Sequence, residues 1–503
     1  MTREIDRLRE HLSEIMNLQH AGQVLSWDES TYMPRAGADA RGAAMATVSR
    51  IAHEMFIADE TGQLLESAAA ALNGNGPDSD EARLVKVAQR DYERDRKIPS
   101  DLIAEIERHA ARAYAVWTKA REDSDYQTFA PYLQKTIELS RQVAEHLGYE
   151  DQLYDALLDI YEPGMKTAQV QSIFTDLKRE LVPLLQSIRE RIETVDDSVL
   201  HQDFPEPQQE AFGKRVASAL GYDFERGRLD RTVHPFEISF SRNDVRITTR
   251  YEPDFLNAAL FSTMHEAGHA MYEQGVAPEL DGTLLGHGTS LAVHESQSRM
   301  WENVVGRSRG FWSHFYPILQ EYFPEQLRSF DAETFYRAIN KVEPTFIRVE
   351  ADEVTYNLHI MLRLEMELAL LSGDLSVDDA PAAWNEKMQA YLGITPPDDA
   401  LGILQDVHWS HGMMGYFTTY SLGNLLSAQL FAAALQAHPS IPDEIARGEF
   451  GALRGWLTDN VYQHGRKFEP PELIERATGE PLQARSYVKY LKDKFGEIYD
   501  LHG

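Results

Sequence analysis

The chain has 503 residues, of which 43% are apolar, and its 49 basic and 80 acidic residues give a formal net charge of −31. The acidic excess is spread along the chain, and such a surface repels phosphate backbones, so we expect no nucleic-acid partner. Because there are no cysteines, disulfides and thiol chemistry are excluded, and any metal ion must be held by histidine and carboxylate side chains.

Nothing in the chain marks a boundary between domains. It contains no Pro-, Gly- or Ser-rich linker, no repeat and no low-complexity tract, so we predict a single domain over residues 1–503. The sequence does not decide whether this domain is bilobed around a groove. The first residues, Met-Thr-Arg-Glu-Ile-Asp, lack the apolar core of a signal peptide, and no later run approaches membrane-span length. We therefore expect a cytoplasmic protein without a membrane partner.

Helical periodicity dominates the N-terminal part of the chain. Apolar residues recur there at steps of three and four, with Arg, Glu and Gln between them. The pattern predicts helices over residues 2–24, 40–73, 79–96, 99–122, 126–147 and 167–194. It is typical of a mainly α-helical body.

The segment from Thr232 to Tyr251 has a different pattern. Apolar and polar residues alternate there on both sides of a Ser-Arg-Asn-Asp turn at 241–244. The alternation predicts one small antiparallel β-sheet just before the next helix. An exposed edge of such a sheet can hold an extended peptide, and a purely structural hairpin fits the pattern equally well.

The next predicted helix begins near Pro253, stops at Gly275 and carries the sequence His-Glu-Ala-Gly-His at residues 265–269. Its two histidines are four residues apart, so they lie on one face of the helix and can bind a single divalent ion. Glu266 between them is placed to take a proton from a water molecule on that ion. The pattern indicates metal-assisted hydrolysis, most often of a peptide bond.

A catalytic zinc site takes three protein ligands and keeps one position open for water. In one common class the third ligand is a histidine six residues beyond the second, but Gly275 stands there in this chain. The third ligand must then come from a later helix, and helical periodicity resumes at residue 289. Spacing favours Glu295, with His294 as its rival and Glu302 as the weakest candidate.

Further motifs follow one another along the chain. They are HPF at 234–236, DxRxT at 244–248, HExxH at 265–269, HESQ at 294–297, IRxEAD at 347–352 and GxxQ at 402–405. Together with LSWD at 25–28, YEPGM at 161–165 and DVHW at 406–409, they resemble the thermostable carboxypeptidase Taq family of zinc metallocarboxypeptidases. The resemblance covers essentially the whole chain.

The resemblance implies a neurolysin-like helical body with a long substrate groove whose floor carries the metal. It also implies a homodimer that removes single residues from peptide C-termini. The ligands of the family carry over to His265, His269 and Glu295, and its catalytic glutamate carries over to Glu266. The implied ion is zinc, with cobalt as the alternative.

The oxyanion of the transition state needs a hydrogen-bond donor besides the ion. His408 and Tyr420 are predicted to supply it, with Tyr416 in reserve, although both residue types are also common in protein cores. The family has proline where Thr418 stands in this chain, which predicts a looser turn before Tyr420.

An exopeptidase must also recognise a free terminal carboxylate, which a planar guanidinium binds with two parallel hydrogen bonds. Arg348 is assigned to the carboxylate, and Arg246 in the DxRxT segment is assigned to closing one end of the groove. Either arginine can instead form a structural ion pair. His234 and Gln405 are predicted to contact the substrate backbone.

Two alternatives stand beside the metallocarboxypeptidase hypothesis. One is an endo-acting metallo-oligopeptidase with the same metal site, in a groove open at both ends and without an arginine for the terminal carboxylate. The other is a helical binding protein without enzymatic activity, in which the HExxH sequence is incidental. Cleavage of amidated peptides would favour the first alternative, and absence of bound metal would favour the second.

Overall fold

The structure, a computed structural model, describes residues 3–72 and 76–501 and confirms the mainly α-helical prediction. In chain order its α-helices are α1 (Arg3–Thr31), α2 (Ala38–Ile57), α3 (Asp59–Ala71), α4 (Asp80–Lys97), α5 (Ser100–Asp123), α6 (Tyr126–Leu147), α7 (Leu153–Tyr161), α8 (Thr167–Arg189), α9 (Glu206–Leu220), α10 (Leu256–Gly275), α11 (Leu291–Arg299), α12 (Arg309–Tyr322), α13 (Pro324–Leu327), α14 (Ala332–Ile339), α15 (Tyr356–Ser372), α16 (Ala380–Leu392), α17 (Thr418–Ala437), α18 (Ile441–Ile445), α19 (Gly451–Asn460), α20 (Pro470–Thr478) and α21 (Arg485–Ile498). The strands are β1 (Gly227–Arg231), β2 (Glu237–Ser241) and β3 (Asp244–Thr249), and a π-helix over Met300–Val305 follows α11 directly. Across the two described ranges, every helix is too short or too polar to span a membrane.

The predicted helices of the N-terminal part are present with some of their ends shifted, except the one predicted over residues 40–73. α6 has the predicted bounds, whereas α1 continues to Thr31 instead of ending at residue 24. Residues 2 and 73, at the ends of two predicted helices, lie outside the described residues. Pro253 and Asp254 precede α10 instead of forming its first turn, and the predicted stop at Gly275 is confirmed.

The single helix predicted over residues 40–73 is wrong, because the chain breaks at Ala58 into α2 and α3. Ala58 is extended, with ψ 152°, and its carbonyl oxygen accepts a hydrogen bond from the Tyr92 hydroxyl at 3.3 Å. The hydroxyl of Thr61 donates to the Met55 carbonyl at 2.8 Å across the break. Tertiary contact with α4 therefore helps to stabilise the bend at Ala58, where the sequence has neither proline nor glycine.

The predicted hairpin is present as β2 and β3, which pair antiparallel. The sheet is mixed instead of wholly antiparallel, because β1 pairs parallel with β3 and gives the order β1-β3-β2. β1 was not predicted, since Leu229 is its only large apolar residue among charged ones. A side chain at Gly227 would collide with the Val245 carbonyl oxygen, so glycine permits the close pairing at the start of β1.

The chain folds into two compact units, each assembled from separate segments. The first unit comprises Met1–Arg96, Asp197–Ile339 and Leu430–Glu480, and the second comprises Lys97–Asp196, Asn340–Gln429 and Pro481–Gly503. In the first unit, α10 packs against α9, α11, the π-helix, β2 and β3. Residues from all sides of α10 are buried, so its position is determined by packing. The single domain over residues 1–503 stays a prediction.

In the second unit, α15 packs against α6, α7, α8 and α16. Its residues are buried all round the helix, and they include the charged side chains of Arg363 and Glu367. Glu367 accepts hydrogen bonds from the Tyr154 hydroxyl at 2.7 Å, the Trp409 indole nitrogen at 2.9 Å and the Gly415 amide at 3.0 Å. Burial raises the pKa of Glu367 to about 7 in spite of these donors.

Candidate metal centre

The HExxH sequence lies in the middle of α10. The imidazoles of His265 and His269 face each other one turn apart, with ring centroids separated by 4.9 Å and ring planes inclined by 78°. Both are half-buried, whereas Glu266 is buried with only 6% of its surface exposed. The register of one packed helix thus determines the relative positions of these three side chains.

Gly268 brings α11 close to α10. A methyl group at this position would come within 2.7 Å of the Gln297 carbonyl oxygen and of the Ser298 Cα atom. Side chains do not tolerate such distances to backbone atoms, so only glycine permits this approach. The contact holds the last turn of α11 against α10 and so places Glu295, two residues before Gln297, beside the two histidines.

Glu295 extends between the histidines of α10. Its Oε2 atom lies 3.6 Å from Nε2 of His265 and 3.4 Å from Nε2 of His269. One ligand atom from each of the three residues lies within 4.8 Å of the other two. Arg299 Nε donates to the other oxygen of Glu295 at 2.6 Å, which holds the carboxylate in this orientation.

The other ring nitrogen of each histidine is occupied by a protein partner. His265 Nδ1 lies 2.8 Å from Oε2 of Glu302, which the π-helix carries, and His269 Nδ1 lies 2.6 Å from Nδ1 of His294. The two rivals of Glu295 as third ligand are therefore in contact with the outward sides of the rings. The inward nitrogens and one carboxylate oxygen form a donor set that suits a divalent ion such as zinc.

Burial and neighbouring charges shift the pKa values of the side chains at this site in opposite directions. Burial raises the pKa of Glu266 to about 7, against a smaller lowering by His265. Burial alone would also raise the pKa of Glu295, but Arg299 and the two histidines hold it well below its ordinary value. Burial lowers the pKa of His269 to about 3, so its imidazole is neutral, as a metal ligand must be.

A second carboxylate of α10 faces the outward side of His294. Glu273 is almost completely buried, its Oε1 atom lies 2.9 Å from His294 Nε2, and its Oε2 atom lies 3.0 Å from His287 Nδ1. The Gly288 amide donates to Oε1 at 2.8 Å, and the Ser239 hydroxyl of β2 lies 3.3 Å from Oε2. Glu273 thus has hydrogen-bond partners on both oxygens.

The second unit contains another cluster of predicted site residues, centred on Arg348. Its Nε and Nη2 atoms donate to Oδ1 of Asp406 at 3.0 and 2.9 Å, and its Nη1 atom donates to the Tyr356 hydroxyl at 2.8 Å. The ion-pair partner is Asp406 instead of Glu350 or Asp352 of its own motif. Among the described residues, these contacts use three of the five N–H groups of the guanidinium.

Arg363 of α15 also pairs with Asp406, through Nε at 2.7 Å, so that one buried carboxylate serves two buried guanidinium groups. Gln405 supports both arginines, because its Oε1 atom accepts from the Arg348 amide and from Arg363 Nη2, each at 2.8 Å. Its Nε2 atom donates to the Phe346 carbonyl at 2.9 Å. The substrate contact predicted for Gln405 stays a prediction, but its amide is already bonded to protein groups at both ends.

His408 and Tyr420, the predicted oxyanion donors, contact each other in the second unit. The Nε2 atom of His408 lies 3.2 Å from the Tyr420 hydroxyl. Burial lowers the pKa of His408 to about 3, so the ring is neutral near pH 7. In the turn before Tyr420, buried Thr418 begins α17, and its hydroxyl donates to the Gly415 carbonyl at 3.2 Å.

The remaining predicted residues lie on or near the sheet of the first unit. Arg246 of β3 makes a bidentate ion pair with Asp244, with two nitrogen–oxygen distances of 2.8 Å. Its guanidinium lies over the rings of Trp27, at 4.3 Å, and Phe240, at 4.9 Å. His234 lies exposed between β1 and β2. The sequence thus missed that Trp27 of the LSWD segment stacks on the DxRxT arginine.

Sequence reasoning also missed Glu273, Arg363 and Asp406 as parts of these clusters. Arg363 did carry a signal, because it is a single cation inside an otherwise apolar turn of α15 and therefore needs a buried anion. Asp406 stood in the DVHW segment without an assigned role. For Glu273 no local pattern distinguishes it from a solvated helix carboxylate.

Comparison with known proteins gives matches over nearly the whole length. The sequence model of the family described as carboxypeptidase Taq (M32) metallopeptidase matches residues 7–495. Thermostable carboxypeptidase 1 of Thermus thermophilus is 44% identical over 501 residues, 98% of each chain, and carboxypeptidase 1 of Bacillus subtilis is 40% identical over 488 residues, 97% of each. The crystal structure of the M32 carboxypeptidase from Deinococcus radiodurans R1 superposes with a TM-score of 0.97 at 42% identity, covering 99% of this chain and 100% of that chain.

Proposed function

We propose that this chain, which belongs to the carboxypeptidase Taq (M32) family of metallopeptidases, removes single residues from peptide C-termini with an ion held by His265, His269 and Glu295. The chain is a metallocarboxypeptidase, and it therefore acts on peptides and uses a divalent metal ion. The observation that supports the site is the convergence of three ligand atoms within 4.8 Å beside the buried Glu266.

The chemistry assigned to this site is hydrolysis of the terminal peptide bond. A divalent ion in this place supplies Lewis acidity, which polarises the scissile carbonyl and makes water more acidic. The Glu266 carboxylate takes a proton from the attacking water as the water oxygen bonds to the carbonyl carbon. The same carboxyl group then gives that proton to the amine as the carbon–nitrogen bond breaks. His408 and Tyr420 remain the predicted oxyanion donors, which Tyr420→Phe tests through a fall in kcat.

Zinc is the ion we propose, with cobalt as the alternative. Two imidazoles and one carboxylate are a common ligand set of catalytic zinc, which keeps a fourth position for water. Elemental analysis of the purified enzyme should find about one zinc per chain. If the bound metal is mostly cobalt, cobalt replaces zinc as the proposed ion, and the proposed ligands stay the same.

Arg348 is the residue we assign to the substrate carboxylate. Two buried guanidinium groups share the single carboxylate of Asp406, so the cluster has an excess positive charge that a second carboxylate would neutralise. Among the residues that the structure describes, the contacts of Arg348 with Asp406 and Tyr356 leave two of its five N–H groups without a hydrogen bond, and two are needed for a bidentate pair. Arg246 already makes a bidentate ion pair with Asp244, and we assign it the role of limiting substrate length.

The experiment compares an N-blocked dipeptide that has a free C-terminal carboxylate with the same dipeptide amidated. We expect hydrolysis of the free acid and almost none of the amide. Equal rates would replace the exopeptidase by an endo-acting oligopeptidase. Absence of metal from the active purified protein would count against the site proposed at His265, His269 and Glu295.

Three further proposals rest on the family resemblance and on composition. They are a homodimer, a cytoplasmic location and the contact of His234 with the substrate backbone. Light scattering tests the first, fractionation of the source cells tests the second, and the KM of His234→Ala tests the third.

A further inference from the structure

We propose that Glu273 is a positioning residue of the metal centre, which acts on His269 through His294. The inference rests on the proposed function in one respect, namely that His269 is a ligand. Neither Glu273 nor His294 belongs to the group of three side chains whose ligand atoms converge. Their effect on the ion must therefore pass through His269.

The three side chains form one continuous line of hydrogen bonds. His269 Nδ1 lies 2.6 Å from His294 Nδ1, and His294 Nε2 lies 2.9 Å from Glu273 Oε1. Glu273 is itself on α10, one turn beyond His269, so both ends of the line are attached to the same helix. His294 spans them from α11.

With both imidazoles neutral, the line admits one arrangement of protons when His269 binds an ion. A ring nitrogen that binds a metal carries no proton, so His269 with Nε2 on the ion carries its proton on Nδ1. That proton points at His294 Nδ1, which must accept it and therefore leaves the proton of neutral His294 on Nε2. The Nε2–H group faces Glu273, and a carboxylate can only accept. Glu273 thus selects the ring tautomers that leave His269 Nε2 free for the ion.

Glu273 is held firmly enough for this role. It is 3% exposed, the Gly288 amide donates to Oε1, and His287 and Ser239 contact Oε2. A side chain at Gly288 would come within 2.6 Å of the His294 ring, so glycine allows the loop to reach the carboxylate. Carboxylates that orient ligand histidines usually contact them directly, whereas here a second imidazole stands between.

The test measures metal affinity instead of activity. The holoenzyme is equilibrated with a chromogenic zinc chelator, and the metal dissociation constant is read from the zinc transferred. Glu273→Leu should weaken zinc binding by about 10- to 100-fold, the usual effect of losing such a partner. Glu273→Gln should restore most of the affinity, because its amide oxygen can still accept from His294 Nε2. His287→Gln is the matched control and should leave the affinity unchanged, because its side-chain amide can still donate to Oε2 of Glu273, the oxygen that does not face His294.

A double variant separates positioning from general damage to the fold. His294→Phe keeps a ring of similar shape without nitrogen atoms and should weaken zinc binding as much as Glu273→Leu does. Because the two residues act in series, the double variant should bind zinc no more weakly than either single one. Additive losses, or an unchanged affinity in His294→Phe and Glu273→Leu, would overturn the inference. If Glu273→Leu does not fold, the zinc affinities of His294→Phe and His287→Gln are compared instead. A loss of affinity in His294→Phe alone would support the inference, and equal affinities would overturn it.

The ligand assignment has its own test. His269→Ala should lose bound zinc outright. If it keeps a full complement, the proposed metal site fails. If it loses the metal while Glu273→Leu and His294→Phe keep the parent affinity, only the positioning role of Glu273 fails.

Discussion

Replacement of Gly268 by alanine should damage the metal site without touching any ligand. The added methyl group would lie 2.7 Å from two backbone atoms of α11, where ordinary contact begins at 3.4 Å, so the helices must separate by roughly 0.7 Å. Overpacking of this kind costs about 1–3 kcal/mol of stability. Because metal–ligand distances tolerate only about 0.2 Å, the displacement of Glu295 should also weaken metal binding.

The assay compares the thermal midpoint with and without zinc, and the zinc content after dialysis. Gly268→Ala should lower the midpoint of the metal-free protein and reduce the further rise that zinc produces. Gly213→Ala is the matched control, because Gly213 of α9 faces Thr263 of α10 and its added methyl would meet that side chain at an ordinary 3.6 Å. That variant should be as stable as the parent, or more stable by up to about 1 kcal/mol.

A Gly268→Ala protein with the parent's midpoint and zinc content would refute the reasoning. It would mean that α11 can move without moving Glu295, or that the close contact does not determine the site. Loss of stability in both glycine variants would point instead to a general sensitivity of the packing around α10, since Gly213 of α9 also faces that helix.

Three further predictions concern single side chains. Glu266→Gln should lower kcat by at least about 10²-fold, the smaller end of general-base effects, while the bound metal measured by elemental analysis stays at the parent level. Arg348→Met should raise KM for free-acid dipeptides by about 30-fold or more, since a lost buried charge partner costs about 2–5 kcal/mol; an unchanged KM would remove Arg348 from carboxylate recognition. The stability that protonated Glu367 contributes is fully present below about pH 4.5 and is lost as the pH rises through about 7, because its pKa is raised in the folded state. The free energy of unfolding of the parent should therefore fall relative to that of Glu367→Gln between pH 5 and 8, by at most on the order of 3 kcal/mol. The thermal midpoints of the two proteins measure this difference, and parallel pH profiles would contradict the raised pKa of Glu367.

Local patterns were reliable where burial follows the repeat of one element. Alternation at 236–249 predicted β2 and β3, and helical periodicity predicted α6 to the residue. The same reasoning joined α2 and α3, because the bend at Ala58 depends on Tyr92 from another helix. β1 was missed since its pairing with β3 needs backbone proximity at Gly227 and no apolar alternation of its own.

The sequence by itself determined which residues can hold a metal, because a four-residue spacing puts His265 and His269 on one face of any helix. It also made Glu295 the favoured third ligand. Only the tertiary structure decided which ring nitrogens face inward, since that depends on Glu302 and His294 meeting the outward ones. It likewise decided that Arg348 pairs with Asp406. The physical reason is that helix register is local, whereas such contacts join residues 25 to 58 positions apart and exist only once the helices have packed.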